Sequence, residues 1–242
     1  MRKIKDAILD ILFPKFCVRC KKEGRYICDE CNIFISETLP VCPICHNSSF
    51  FGESHPGCLR KYSLDGLISA WDYEGLIKNL IYKIKYDGIT HAIGEIIENF
   101  FKLIANDENN RFYAFLSFLS YRNTYIAYIP MYRKKEKKRG FNQAELIAKE
   151  IGKISNCRVA CLLKKIKDTE SQAKLDKGER LQNVKDSFEE SPICDKPGLS
   201  QIENVLLVDD VFTTGATMKE CCKVLKQSGV RKVWGFVLAM TP

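Results

Sequence analysis

Val205-Leu-Leu-Val-Asp209-Asp210-Val-Phe-Thr213-Thr214-Gly215-Ala216-Thr217 joins three physical signals in one short stretch. An apolar strand ends in two acids, and a loop rich in Thr and Gly opens directly into the helical pattern TGATMKECCKVLKQSG, closed by Gly229. Gly215 lets the backbone come close to a ligand, the free amides of the helix start point outward, and the threonine hydroxyls add donors, which together make an anion cradle. The G-x-x-x-x-G-K pattern of a Walker A loop is missing. Asp209 and Asp210 would repel a bare phosphate but suit the hydroxyls of a sugar or a bound Mg²⁺, so a ribose phosphate matches both halves. The plainer reading of these residues is a strand whose solvated acids cap the next helix.

Outward from this stretch, strand and helix patterns alternate. LDGLISAWDY reads as extended, and EGLIKNLIYKIKY places Leu76, Leu80, Ile81 and Ile84 on one helical face. IGEIIENFFKLIA is helical in pattern, and FYAFLSFLSY fits a helix or a buried strand, with a helix preferred. TYIAYIP is a short strand ending at Pro130, followed by a basic loop, MYRKKEKKRG, and a helix over 141–154. CRVACLL and KVWGFVLAM read as further strands. The alternation requires crossovers and predicts an α/β fold with a parallel sheet covered by helices on both faces and ligands beyond the carboxyl ends of its strands.

The N-terminal part is organised differently. Of twelve cysteines, seven lie between positions 17 and 58, as Cys17-x-x-Cys20, Cys28-x-x-Cys31, Cys42-x-x-Cys45 and, with a histidine, His55-x-x-Cys58. A C-x-x-C turn aims both sulfurs at one point, and two such turns supply the tetrahedral ligands of a structural zinc ion. Sequential pairing gives two zinc ribbons, one from Cys17, Cys20, Cys28 and Cys31, the other from Cys42, Cys45, His55 and Cys58. His46 is a rival for the place of His55. So short a segment buries little apolar surface, whereas structural zinc contributes roughly 10–16 kcal/mol in model peptides, so metal is expected to organise it. A redox role fits four consecutive knuckles badly. Cys157, Cys161, Cys194, Cys221 and Cys222 follow no ligand pattern and read mostly as small core residues.

Hydrophobic residues make up 45% and charged residues 28% of the 242, which excludes wholesale disorder and fibrous classes. The formal charge of +8 favours a polyanionic partner, phosphates first. No apolar run is long enough for a membrane span. MRKIKDAILDILFP starts like a secretion signal, but Asp6 and Asp10 interrupt it and no cleavage site follows; Ile4, Ile8, Ile11 and Leu12 instead predict an amphipathic helix docked on the body, and a cytoplasmic location. The expected division is 1–62, N-terminal helix and double ribbon, and 63–242, the α/β domain, with a linker near 60–63.

VLLVDDVFTTGAT resembles the 5-phosphoribosyl-1-pyrophosphate (PRPP) motif of type I phosphoribosyltransferases. The resemblance implies that Asp209 and Asp210 hold the ribose hydroxyls and that Thr213, Thr214, Gly215, Ala216 and Thr217 hold the 5′-phosphate. The four knuckles, Lys83-x-Lys85-Tyr86, Ile129-Pro130 with its basic loop, Arg139-Gly-Phe-Asn-Gln-Ala-Glu145, Thr169-x-x-Gln172 and Arg180-x-x-Asn183 stand in the order found in the ComF family of competence proteins, which the chain resembles over essentially its full length. This likeness implies a phosphoribosyltransferase-type reaction with Mg²⁺, in which 130–133, with Arg133, forms the diphosphate loop. Arg139 is the best single cation for the diphosphate, because a guanidinium chelates two oxygens at once. Residues 164–180, with Gln172 central, would cover the ligand. The likeness also implies work beside the competence machinery, and the rival readings are a single-stranded DNA-binding competence factor and a PRPP-sensing protein without catalytic turnover. Neither the acceptor nor a general base has a signature in the chain.

Overall fold

The computed structural model describes residues 14–169, 177–192 and 198–241. The four knuckles come first and contain one α-helical turn, α1 (Asp29–Asn32), and a 3-10 turn, Phe50–Gly52. Strand β1 (Gly66–Asp72) leads through helices α2 (Gly75–Asp87), α3 (Ala92–Ala105) and α4 (Tyr113–Ser120) to β2 (Thr124–Tyr128). Then follow α5 (Arg133–Arg139), α6 (Gln143–Ser155), β3 (Arg158–Ala160), β4 (Leu163–Lys165), α7 (Lys177–Val184), β5 (Phe188–Glu190), β6 (Asn204–Phe212), α8 (Ala216–Gln227) and β7 (Lys232–Met240). None of the described helices is long and apolar enough to cross a membrane.

The main sheet has the order β1-β7-β6-β2-β3, and every neighbouring pair is parallel. This is the expected α/β architecture. Strand β6 is apolar from Val205 to Val208 because both of its faces are covered there. Leu206 and Val208 enter one core with α2, α3, α4 and α6, while Val205 and Leu207 enter the other with Met218, Cys221, Cys222 and Leu225 of α8. From β2 the chain moves outward to β3, and from β6 it moves the opposite way to β7. Strand order therefore reverses between β2 and β6, and a crevice opens beyond their carboxyl ends.

The ribbons are tied to this body. Cys17, Val18, Ile27, Cys28 and Cys31 share the apolar core of α2 and α3. The amides of Ile27 and Tyr26 donate to Glu95 at 2.9 and 3.2 Å, and Asn79 Nδ2 donates to the Val18 carbonyl at 3.3 Å. The second ribbon meets β1 through the Glu53–Gly66 and Glu37–Trp71 bridges. The stretch at 60–63 is a turn closed by the Ser63 amide on the Arg60 carbonyl at 3.1 Å.

Three local expectations are corrected. The basic segment is the helix α5, because Lys, Arg and Glu are good helix formers and Gly140, at φ +86°, ends it. CRVACLL splits into β3 in the main sheet and β4, which pairs antiparallel with β5 in a small second sheet. Residues 164–180 are partly regular structure, β4 and the start of α7. The N-terminal helix proposed at Ile4, Ile8, Ile11 and Leu12, together with Gln172 and Cys194, lies outside the described residues.

Candidate functional site

The eight metal-type residues gather into two groups, Cys17, Cys20, Cys28 and Cys31, and Cys42, Cys45, His55 and Cys58, with ligand atoms within 4.8 Å of one another in each. The ribbons repeat one backbone design. Cys17 N–H donates to the Lys22 carbonyl and Lys21 N–H to the Cys17 carbonyl; Cys42 N–H donates to the Asn47 carbonyl and His46 N–H to the Cys42 carbonyl. Lys21 and His46 hold the same left-handed place, at φ +66° and +63°. His46 is therefore a turn residue, and its ring lies 5.7 Å from that of Phe212. His55 takes the ligand position: its Nδ1 is 3.4 Å from Cys45 Sγ, and Nε2–H donates to the Ser48 carbonyl at 3.1 Å, the outer-sphere contact that orients a metal-binding imidazole.

The thiols fit zinc electrostatically. Burial opposes ionisation of Cys17, but the amides of Cys28, Cys20 and Arg19 overcome it and bring the thiol down to about 6. At the equivalent position the amides of Cys45, His55 and Ile44 overcome burial and bring Cys42 down to about 7. Burial and the neighbouring sulfurs push Cys31 up to about 12 and Cys58 to about 11. A cluster in which some thiols ionise readily and the others resist is completed by a cation, which a structural zinc ion supplies.

In the crevice, β6 delivers Asp209 and Asp210. Asp209 Oδ1 accepts from the Asp210 amide at 2.8 Å, and Asp210 Oδ2 pairs with Lys85 Nζ at 2.7 Å. Burial first, and then the like charge of Asp210, raise the Asp209 carboxyl to about 7. Burial works against the Lys85 ammonium, yet Asp210 and Asp209 hold its pKa above the ordinary lysine value. Gly215 follows at φ +70° as the N-cap of α8, and a Cβ there would lie 2.4 Å from the Phe212 ring, so both backbone and space demand glycine. The Ala216 amide donates to Thr214 Oγ1 at 3.4 Å across the helix start.

Across the crevice, the Ile129 amide continues the ladder to the Val208 carbonyl at 2.9 Å, and Asn142 Nδ2 donates to the Ile129 carbonyl at 3.0 Å. The segment before α5 is held between β6 and α6. Arg133, Lys134 and Lys137 of α5 face Lys164 and Lys165 of β4 around an open cleft of about 640 Å³, whose lining is completed by Tyr132 and Ile166. Arg139 stands at the other end of α5, about 9 Å along the axis. Its guanidinium donates to Gln143 Oε1 at 2.9 Å and lies 5.7 Å from the centre of the Tyr86 ring. Lys135 is engaged with Asp168 at 3.3 Å and with the Thr169 carbonyl.

Sequence reasoning gave no individual role to Lys85 or to Lys165, which it placed only within the covering segment 164–180. Lys85 sits in the last turn of α2, remote in sequence from Asp210, and only its place in the K-x-K-Y stretch marked it. Lys165 ends the short strand β4 and belongs to no motif; burial lowers its pKa, and Asp209 acts in the opposite sense.

No protein-family model matches the chain. It is 26% identical over 234 residues to competence protein F of Haemophilus influenzae, covering 92% of this chain and 96% of that protein. It is 26% identical over 216 residues to competence protein ComFC of Bacillus subtilis, covering 86% and 81%. The chain is similar to ComF-type competence proteins along most of its length. With the DNA utilization protein YhgH of Escherichia coli it shares 25% identity over 243 residues, or 94% of this chain and 98% of that one. The ComF relatives are matched along both the ribbons and the α/β body.

Proposed function

We propose that the protein is a PRPP-binding, phosphoribosyltransferase-like member of the competence and DNA-utilization group, with 1–62 as a zinc-organised appendage and 63–242 as the ligand-binding domain, working in the cytoplasm. The observation that carries this reading is the meeting of the Asp209–Asp210 pair with the Gly215 cradle where strand order reverses. Asp209 and Asp210 accept from the ribose hydroxyls, and Thr213 to Thr217 bind the 5′-phosphate with amides and hydroxyls. Arg133, with Arg139 at the far end of α5, attracts the diphosphate. Mg²⁺, when bound, supplies charge neutralisation on that group, and the two carboxylates offer the hard oxygen ligands such an ion takes. If a nucleophile displaces diphosphate from C1, Lys85 and the acids set the field around the ribose.

Calorimetry with PRPP and Mg²⁺ tests this. The Asp209→Asn, Asp210→Asn double variant should bind at least tenfold more weakly, because the amides keep the size but lose charge and acceptor capacity. Equal affinity in the two proteins would remove the reading.

A second ligand, single-stranded DNA, is favoured by the cleft. Its five cationic side chains exceed what one diphosphate group neutralises, and no acid is among its described lining residues.

A further inference from the structure

The last turns of α2 carry two tyrosines that the PRPP reading does not use. Tyr82, Lys85 and Tyr86 occupy one stripe of the helix, since residues three and four apart share a face. Lys85 turns inward to Asp210 at 2.7 Å, while Tyr82 and Tyr86 are 57% and 65% exposed with ring centres 4.7 Å apart. Arg139 caps the pair from α5, 5.7 Å from the Tyr86 ring centre, and is itself held by Gln143, which is buried. Two large aromatic rings thus stand in solvent at the rim of the acid pair, at one end of a helix whose other end faces the cationic cleft.

We propose that Tyr82, Tyr86 and Arg139 form a base-stacking platform for a single-stranded nucleic acid whose phosphates run along α5 into the cleft lined by Arg133, Lys134, Lys137 and Lys164. The inference rests on the strand-binding reading above and gives it residues. Charge decides the occupant: Arg139 and the five cations of the cleft, with no acid among its described lining residues, exceed what the phosphate of one nucleoside monophosphate neutralises, whereas each further nucleotide of a strand adds a phosphate. Stacking is tolerant of sequence because every base has a π-face, and a guanidinium over an aromatic ring stiffens such a platform.

The test uses the full-length zinc-loaded protein and fluorescence anisotropy of a short labelled oligothymidylate at low salt. The Tyr82→Ala, Tyr86→Ala double variant should bind roughly 5- to 150-fold more weakly for each base that no longer stacks. Tyr82→Phe, Tyr86→Phe should bind like the wild type, since the ring and not the hydroxyl is used. The slope of log affinity against log salt should be the same in all three, because stacking releases no counterions. An alanine variant with wild-type affinity overturns the platform while leaving strand binding elsewhere. Thymidine monophosphate competing as well as the oligonucleotide overturns the strand as occupant. A wild type that binds no oligonucleotide removes both the strand reading and the platform, and PRPP calorimetry on the same sample reports separately on the ribose site.

Discussion

Asp209 shows how one residue carries the tension of the site. Its carboxyl is raised to about 7 from an ordinary 3.8, by burial first and Asp210 second. Between those values the unfolded chain has released the proton and the native chain keeps it, so stability should fall as pH rises from about 4 to about 7 and level off above. Denaturant melts across that range should show the fall, and Asp209→Asn should flatten it. Carboxyl NMR should place the Asp209 midpoint near 7, and Asp210→Asn should move it down, because the variant removes a like charge and frees Lys85 to face Asp209. A midpoint unmoved by that variant would show that burial alone sets the value.

The elements that most depend on something outside the polypeptide are the two ribbons. Cys17, Cys28 and Cys31 are buried against α2 and α3, whereas in the second group only Cys42 is buried and Cys45 is exposed. Zinc analysis should give two ions per chain, and chelator titration should release them in two phases, the second ribbon first. Cys28→Ser should leave about one zinc per chain and lower the melting temperature of the whole protein, since the first ribbon shares its core with two helices. Single-phase release would mean that burial does not separate the sites. The α5 helix makes the contrasting case, an element held by propensity and by Gly140, without a buried side chain of its own.

At the scale of the molecule, α5 and β4 come from separate parts of the chain and meet to form one cationic cleft. Lys134→Gln, Lys137→Gln and Lys164→Gln together should make the salt dependence of oligonucleotide binding shallower by about 0.7 for each phosphate left without its cation, measured across a salt series. Lys135 is left out of that set because Asp168 and the Thr169 carbonyl already hold it. A slope equal to wild type would place the strand elsewhere, most directly on the ribbons. The cysteine spacing, the apolar run of β6 with its terminal acids and the Gly215 turn could be read from the chain itself, because ligand knuckles, strand period and loop chemistry are local, and they were enough to predict the parallel α/β fold and the pairing of the knuckles. What local pattern does not carry is which distant residues meet. Tertiary structure alone brought Lys85 to Asp210, set Arg133 and Arg139 at opposite ends of a helix, stacked Arg139 near Tyr86 and reversed the strand order between β2 and β6, since each of these follows from packing two apolar faces of one sheet against helices far apart in sequence.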